Sequence, residues 1–152
     1  MPFEDLEIIS VVIEEFVDRF HHGKEEKAYF PETKDKNAFS EDIRKFLIEH
    51  ELGRRIARMF LRNLKTWKDT GGIGSKEPLV RFLKSYAVFI SDHTSKEDIF
   101  FDMIEEKNSL SNEENEVLTK HFEECRNQAG GAARIEQMMK LIQYLEEREW
   151  MG

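Results

Sequence analysis

Asp92-His93-Thr94-Ser95-Lys96-Glu97-Asp98 and His21-His22-Gly23-Lys24-Glu25-Glu26 are one phrase written twice in a chain of 152 residues. Each runs His-x-x-x-Glu and leads into an aromatic cluster, Ile99-Phe100-Phe101 in one case and Tyr29-Phe30-Pro31 in the other. If both segments are helical, a four-residue step sets an imidazole and a carboxylate on one face, one turn apart. Two such helices facing each other make a mixed imidazole and carboxylate pocket, which suits iron, manganese or zinc.

Working outward, apolar residues recur with the three-and-four rhythm of helices. Leu6, Ile9, Ile13, Phe16, Val17 and Phe20 form a stripe on a first helix that should end near Pro31, since proline disfavours the helical conformation of the residue before it. Ser40 is placed to cap a second helix, with Phe39 as a hydrophobic staple. That helix carries Ile43, Phe46, Leu47, Ala57, Leu61 and Leu64 and fades before Gly71. A third starts near Ser75 with Pro78 in its first turn, and carries Leu79, Phe82, Tyr86, Phe89 and Ile90 onward to Ile104. Ser111-Asn112-Glu113-Glu114 is a capping box opening a fourth helix, which holds Leu118, Phe122 and Cys125 and is broken or bent at Gly130-Gly131. A last helix runs from about Ala132 to Glu149. No segment alternates with period two for the length of a strand. The pattern predicts an all-α, antiparallel up-down helical bundle with extra C-terminal helices, as a single domain over residues 1–152.

Composition bounds the function classes. Charged residues make up 36% of the chain and apolar ones 39%, with only 3 prolines and 8 glycines, which suits long amphipathic helices. A formal net charge of -8 argues against nucleic acid or an anionic membrane as partner. The single cysteine, Cys125, has no internal disulfide partner, which suits a reducing compartment. The acidic amino terminus lacks a basic leader region, and the apolar run Ile8 to Ile13 is too short to span a bilayer. A soluble, cytoplasmic protein is the expectation.

Helical geometry sorts the ionisable residues. At about 100° per residue, His21 and Glu25 fall roughly 40° and 80° from Val17, while His22 and Glu26 fall roughly 140° and 180° away. His21 and Glu25 are therefore expected inward and His22 and Glu26 on the rim. His93 and Glu97 lie within roughly 20° of the Tyr86 line, and His50 and Arg54 flank the Ile43–Leu61 line by about 20°. Height gives an independent check. His50 and His93 both lie near 28 Å from the turn joining their helices, at about 1.5 Å per residue. Ionisable groups on apolar faces are costly to bury without partners, and a cation would satisfy histidines and carboxylates together. His121, at the edge of its stripe, has no such ligand partner in the sequence. The second helix carries one further apolar strip, Ile48, Leu52, Ile56 and Met59, about 140° to 220° from its inward face. Either the C-terminal helices pack on it, or it is a dimer interface that closes the bundle.

At these residues the chain resembles the hemerythrin-like, HHE cation-binding family. Phe16-Val17-Asp18-Arg19-Phe20-His21-His22-Gly23-Lys24-Glu25-Glu26, with Phe30-Pro31, looks like that family's second-helix signature. Glu49-His50-Glu51-Leu52-Gly53-Arg54 looks like its third, and His93-Thr94-Ser95-Lys96-Glu97 like its fourth. The resemblance implies a hemerythrin-like bundle around a non-haem di-iron centre, with His21, Glu25, His50, His93 and Glu97 as metal ligands and Glu25 and Glu97 as bridges. Zinc or manganese also suits such ligands. Oxygen-carrying members have a second histidine one turn after the third-helix ligand, where this chain has Arg54. The family's usual first helix, with its own histidine ligand, has no counterpart before His21, and a second subunit or the C-terminal helix would supply that wall.

The function implied is a metal-binding protein, not an enzyme, that binds or senses oxygen, nitric oxide or iron, and that pairs as a homodimer. The alternative is a helical interaction module whose metal site is structural, holding zinc, or degenerate.

Overall fold

The computed structural model describes residues 2–33, 39–107 and 110–149. Among these residues there is no strand, and the chain is helical almost throughout, in agreement with the all-α expectation. No described helix is long and apolar enough to cross a membrane. The chain divides into two compact units, one of Met1–Pro31 with Asn115–Gly152 and the other of Glu32–Glu114.

In the second unit, α3 (Ser40–Asp69) and α4 (Glu77–Glu106) form a helical hairpin. Its buried positions step by threes and fours. Ile43, Phe46, His50, Gly53, Phe60 and Leu64 lie on α3, and Leu79, Tyr86, His93, Glu97, Phe100 and Ile104 on α4. Phe39 meets Phe100 edge-on with ring centres 5.4 Å apart, Phe46 meets Phe100 at 5.2 Å and His93 at 5.8 Å, and His50 meets His93 at 4.8 Å. Residue numbers fall along α4 as they climb along α3, so the pair is antiparallel. Gly53 permits a close approach, because a Cβ there would stand 2.7 Å from Cε1 of Phe89. The turn between the helices uses Gly71 and Gly72 at φ +67° and +78°, a left-handed backbone that glycine adopts without steric cost.

The helix starts and stops follow local chemistry. Pro78 sits in the first turn of α4, where its missing N–H costs nothing, and the Glu77 N–H donates to Ser75 Oγ at 3.1 Å. Ser40, by contrast, is not a cap. Phe39 holds the N-cap position, no side chain caps the end, and Ser40 is already helical. Burial of the Phe39 ring, 1% exposed, places that residue where a capping hydroxyl would otherwise go. Leu47, expected on the inward stripe, is 40% exposed, and Ile48, Leu52 and Met59 also stay exposed.

In the first unit, a helical segment begins as α1 (Phe3–Val11), continues through Val12–His22 and Glu25–Tyr29, and closes with α2 (Phe30–Thr33). It runs two residues past Pro31, which occupies the second position of α2. Opposite it lie α5 (Asn112–Gln128) and α6 (Gly131–Glu146). Arg148 Nε donates to Asp5 Oδ2 at 3.0 Å, Arg134 Nε to Glu15 Oε2 at 2.7 Å, and Tyr29 stacks on Phe122 with ring centres 6.4 Å apart. These pairs show that α5 and α6 follow each other antiparallel to the first segment, so the Gly130–Gly131 step bends the chain rather than reversing it. Both glycines have positive φ, 102° and 82°. The capping box at α5 forms as its sequence predicts: the Ser111 N–H donates to Glu114 Oε2 at 2.8 Å, and the Glu114 N–H to Ser111 Oγ at 3.2 Å.

Candidate metal centre

The α3–α4 hairpin brings His50, His93 and Glu97 together. His50 and His93 are fully buried and Glu97 is 2% exposed. Glu97 Oε1 lies 3.1 Å from His50 Nε2 and 2.6 Å from His93 Nε2. Ligand atoms of the three residues all fall within 4.8 Å of one another. Each comes from the inward stripe of its helix, so the angular arithmetic and the equal heights of His50 and His93 both hold here.

A second carboxylate stands behind His93. Its Nδ1–H donates to Glu49 Oε2 at 2.6 Å, while Lys96 Nζ donates to Glu49 Oε1 at 2.8 Å. The ammonium of Lys96 also lies 2.9 Å from Asp92 Oδ2. The ring of His93 is walled by Phe89, stacked with ring centres 5.7 Å apart, and by Phe46 edge-on. Burial pushes the His93 imidazole toward its neutral form, but hydrogen bonds to Glu97 and Glu49 outweigh it and hold its pKa above the usual histidine value. Burial likewise works to raise Glu49, yet Lys96 and His93 hold it below the ordinary carboxylate range. Lys96 is raised in turn, chiefly by its hydrogen bonds to Glu49 and Asp92.

The first unit carries the other half of the doubled phrase. His21 Nε2 lies 3.0 Å from Glu25 Oε1, one turn apart as the spacing requires, and Glu25 is buried as expected. The orientation of the two histidines departs from expectation. His22, assigned to the rim, is 2% exposed, whereas the His21 side chain, assigned inward, is 36% exposed. The cause is the winding of the helix. Val12–His22 and Glu25–Tyr29 are π-wound, with the Gly23 N–H reaching the Asp18 carbonyl and the Phe30 N–H that of Glu25, five residues back. Nine residues separate Ile13 from His22. At about 100° each they would stand half a turn apart, but with more residues per turn they come to nearly two complete turns. Ile13 and His22 are accordingly both buried. His22 Nδ1 lies 3.8 Å from Asp18 Oδ1.

Sequence spacing alone did not single out Glu49 or Lys96. Glu49 lies about 100° from His50 around α3, off the inward face, and only the register of α4 shows that its carboxylate meets His93. The donor set fits a metal ion of intermediate softness: two imidazoles and a carboxylate converge in a buried setting, as iron, zinc and manganese sites require. A carboxylate on the far nitrogen of a ligand histidine is the usual support of such a site.

Residues 4–104 match the family model described as the hemerythrin HHE cation-binding domain. Comparison with curated proteins and with solved structures gave no match.

Proposed function

Since the chain belongs to the hemerythrin HHE cation-binding domain family, we propose that it is a non-haem iron protein that binds or senses oxygen, nitric oxide or iron. The observation that carries the proposal is the buried convergence of His50, His93 and Glu97. Burying two imidazoles and a carboxylate is costly unless they are paired, and a cation pairs all three. The complete ligand set proposed is His21, Glu25, His50, His93 and Glu97. The first two rest on the His-x-x-x-Glu motif and their 3.0 Å pairing.

When bound, iron would supply a redox-active ion to which a small diatomic molecule can coordinate. The chain's own residues hold it with imidazole and carboxylate donors, and Phe46, Phe89 and Phe100 limit water on the His93 side. No catalytic role is assigned. A cytoplasmic location and a homodimer belong to the same proposal, with the exposed residues Ile48, Leu52 and Met59 as the surface a second copy would cover.

Anaerobic titration with Fe(II), followed by oxygen or nitric oxide, is the test. Stoichiometric iron uptake with a gas-dependent visible spectrum is expected, and His93→Ala should abolish it. Unchanged uptake by that variant overturns the assignment. Binding of zinc without any gas-dependent signal would identify a structural site in a helical interaction module instead.

A further inference from the structure

We propose that Glu49 is the positioning carboxylate of His93, accepting from Nδ1 so that Nε2 is the nitrogen turned to the cation; this rests on the metal-binding reading above. The two nitrogens of His93 face different carboxylates. Nε2 faces Glu97, on its own helix, and Nδ1 faces Glu49, across the hairpin at 2.6 Å. A carboxylate accepting from Nδ1 keeps a proton on that nitrogen, so a cation takes the place of the proton between Nε2 and Glu97, and Nε2 is the metal donor.

Both oxygens of Glu49 are engaged. Oε2 takes the His93 proton side, and Oε1 is held by Lys96 at 2.8 Å, itself anchored to Asp92 at 2.9 Å. A carboxylate fixed at both ends does not swing in as a ligand, although its neighbour along the chain is His50. The ring cannot rotate away either, because Phe89 stacks on one face, within 12° of parallel, and Phe46 meets it edge-on at 86°. Lys96 neutralises much of the Glu49 charge. The hydrogen bond therefore orients the imidazole without stripping its proton.

Glu49 is only partly buried, at 23% side-chain exposure, so replacing it should leave the helices intact, which circular dichroism checks. Zinc affinity and the solvent exchange of the His93 Nδ1–H in the zinc-bound protein, read by ¹H–¹⁵N NMR, form the test in wild type, Glu49→Ala and Glu49→Gln. Glu49→Ala should weaken zinc binding by about 10–100-fold and speed the exchange of that proton. Glu49→Gln keeps an oxygen acceptor, so slow exchange should persist and most of the affinity return. A structural role elsewhere on α3 would not change the Nδ1–H signal. Zinc binding by the wild type that Glu49→Ala leaves unchanged, or an unaltered Nδ1–H exchange, overturns this role and leaves the metal reading standing. Wild-type protein that takes up no zinc and no iron overturns both.

Discussion

A missing side chain governs one of the aromatic rings beside the candidate centre. Gly53 lets α3 approach Phe89 so closely that an added Cβ would stand 2.7 Å from the ring, and that ring stacks on His93. Two effects oppose each other at this position. Alanine raises helix propensity by about 1 kcal/mol over glycine, while a larger side chain must displace Phe89. Gly53→Leu should therefore lower stability by about 1–3 kcal/mol through overpacking, read as a fall in the urea midpoint. Gly53→Ala should come out closer to neutral, because propensity and crowding offset each other. A Gly53→Leu protein as stable as wild type would show that Phe89 moves freely and that the aromatic wall of His93 is soft.

Among the elements, α5 shows how strongly a local motif can set a boundary. Ser111 and Glu114 satisfy each other's backbone N–H groups, 2.8 and 3.2 Å apart, across one exposed turn, and no tertiary contact is needed for it. Ser111→Ala should cost about 1 kcal/mol in thermal or urea unfolding, with little change for a Thr replacement. Loss of nothing would mean that the end is held by its surroundings instead. The start of α3 teaches the opposite lesson. Ser40 and Phe39 carry the letters of a cap and staple, yet Phe39 takes the N-cap position as a buried ring. The pull of apolar burial, roughly 1.5–3 kcal/mol for a large side chain, exceeds the approximately 1 kcal/mol of a capping hydroxyl. The first helical segment adds a third case, since its π-winding shifted the buried face from His21 toward His22.

Across the whole molecule, long-range ion pairs tie the carboxyl-terminal helices to the amino-terminal segment within the first unit. The hydrogen bond from Arg134 holds the Glu15 carboxyl below its ordinary value of 4.5, against the upward pull of burial. A carboxylate whose folded pKa is depressed adds stability above its unfolded pKa and loses it as pH falls through the folded value. The pair should thus support folding at neutral pH and begin to lose that support below about 4.5, where unfolded Glu15 takes up its proton first, until the folded carboxyl is protonated as well. Glu15→Gln should lower the urea midpoint at neutral pH and converge with wild type in acid. A constant gap between the two proteins at all pH values would remove the charge from the explanation.

The sequence by itself determined the helical class, the positions of most turns and the chemical identity of the buried donors. Those features depend on neighbours a few residues apart: the three-and-four stripe of α3 and α4, Pro78 in a first turn, the Ser111 box, and glycines where φ must be positive. It also indicated that His50 and His93 would share a height, because equal rise along two joined helices needs no knowledge of packing. Tertiary structure alone decided the rest. Glu49 meets His93 across 44 residues and Lys96 across 47, contacts set by the register of one helix against another rather than by periodicity. The burial of His22 had a different cause, the winding of its own helix: one closed by i→i+5 bonds turns its faces at a different rate from the 100° that a sequence pattern assumes.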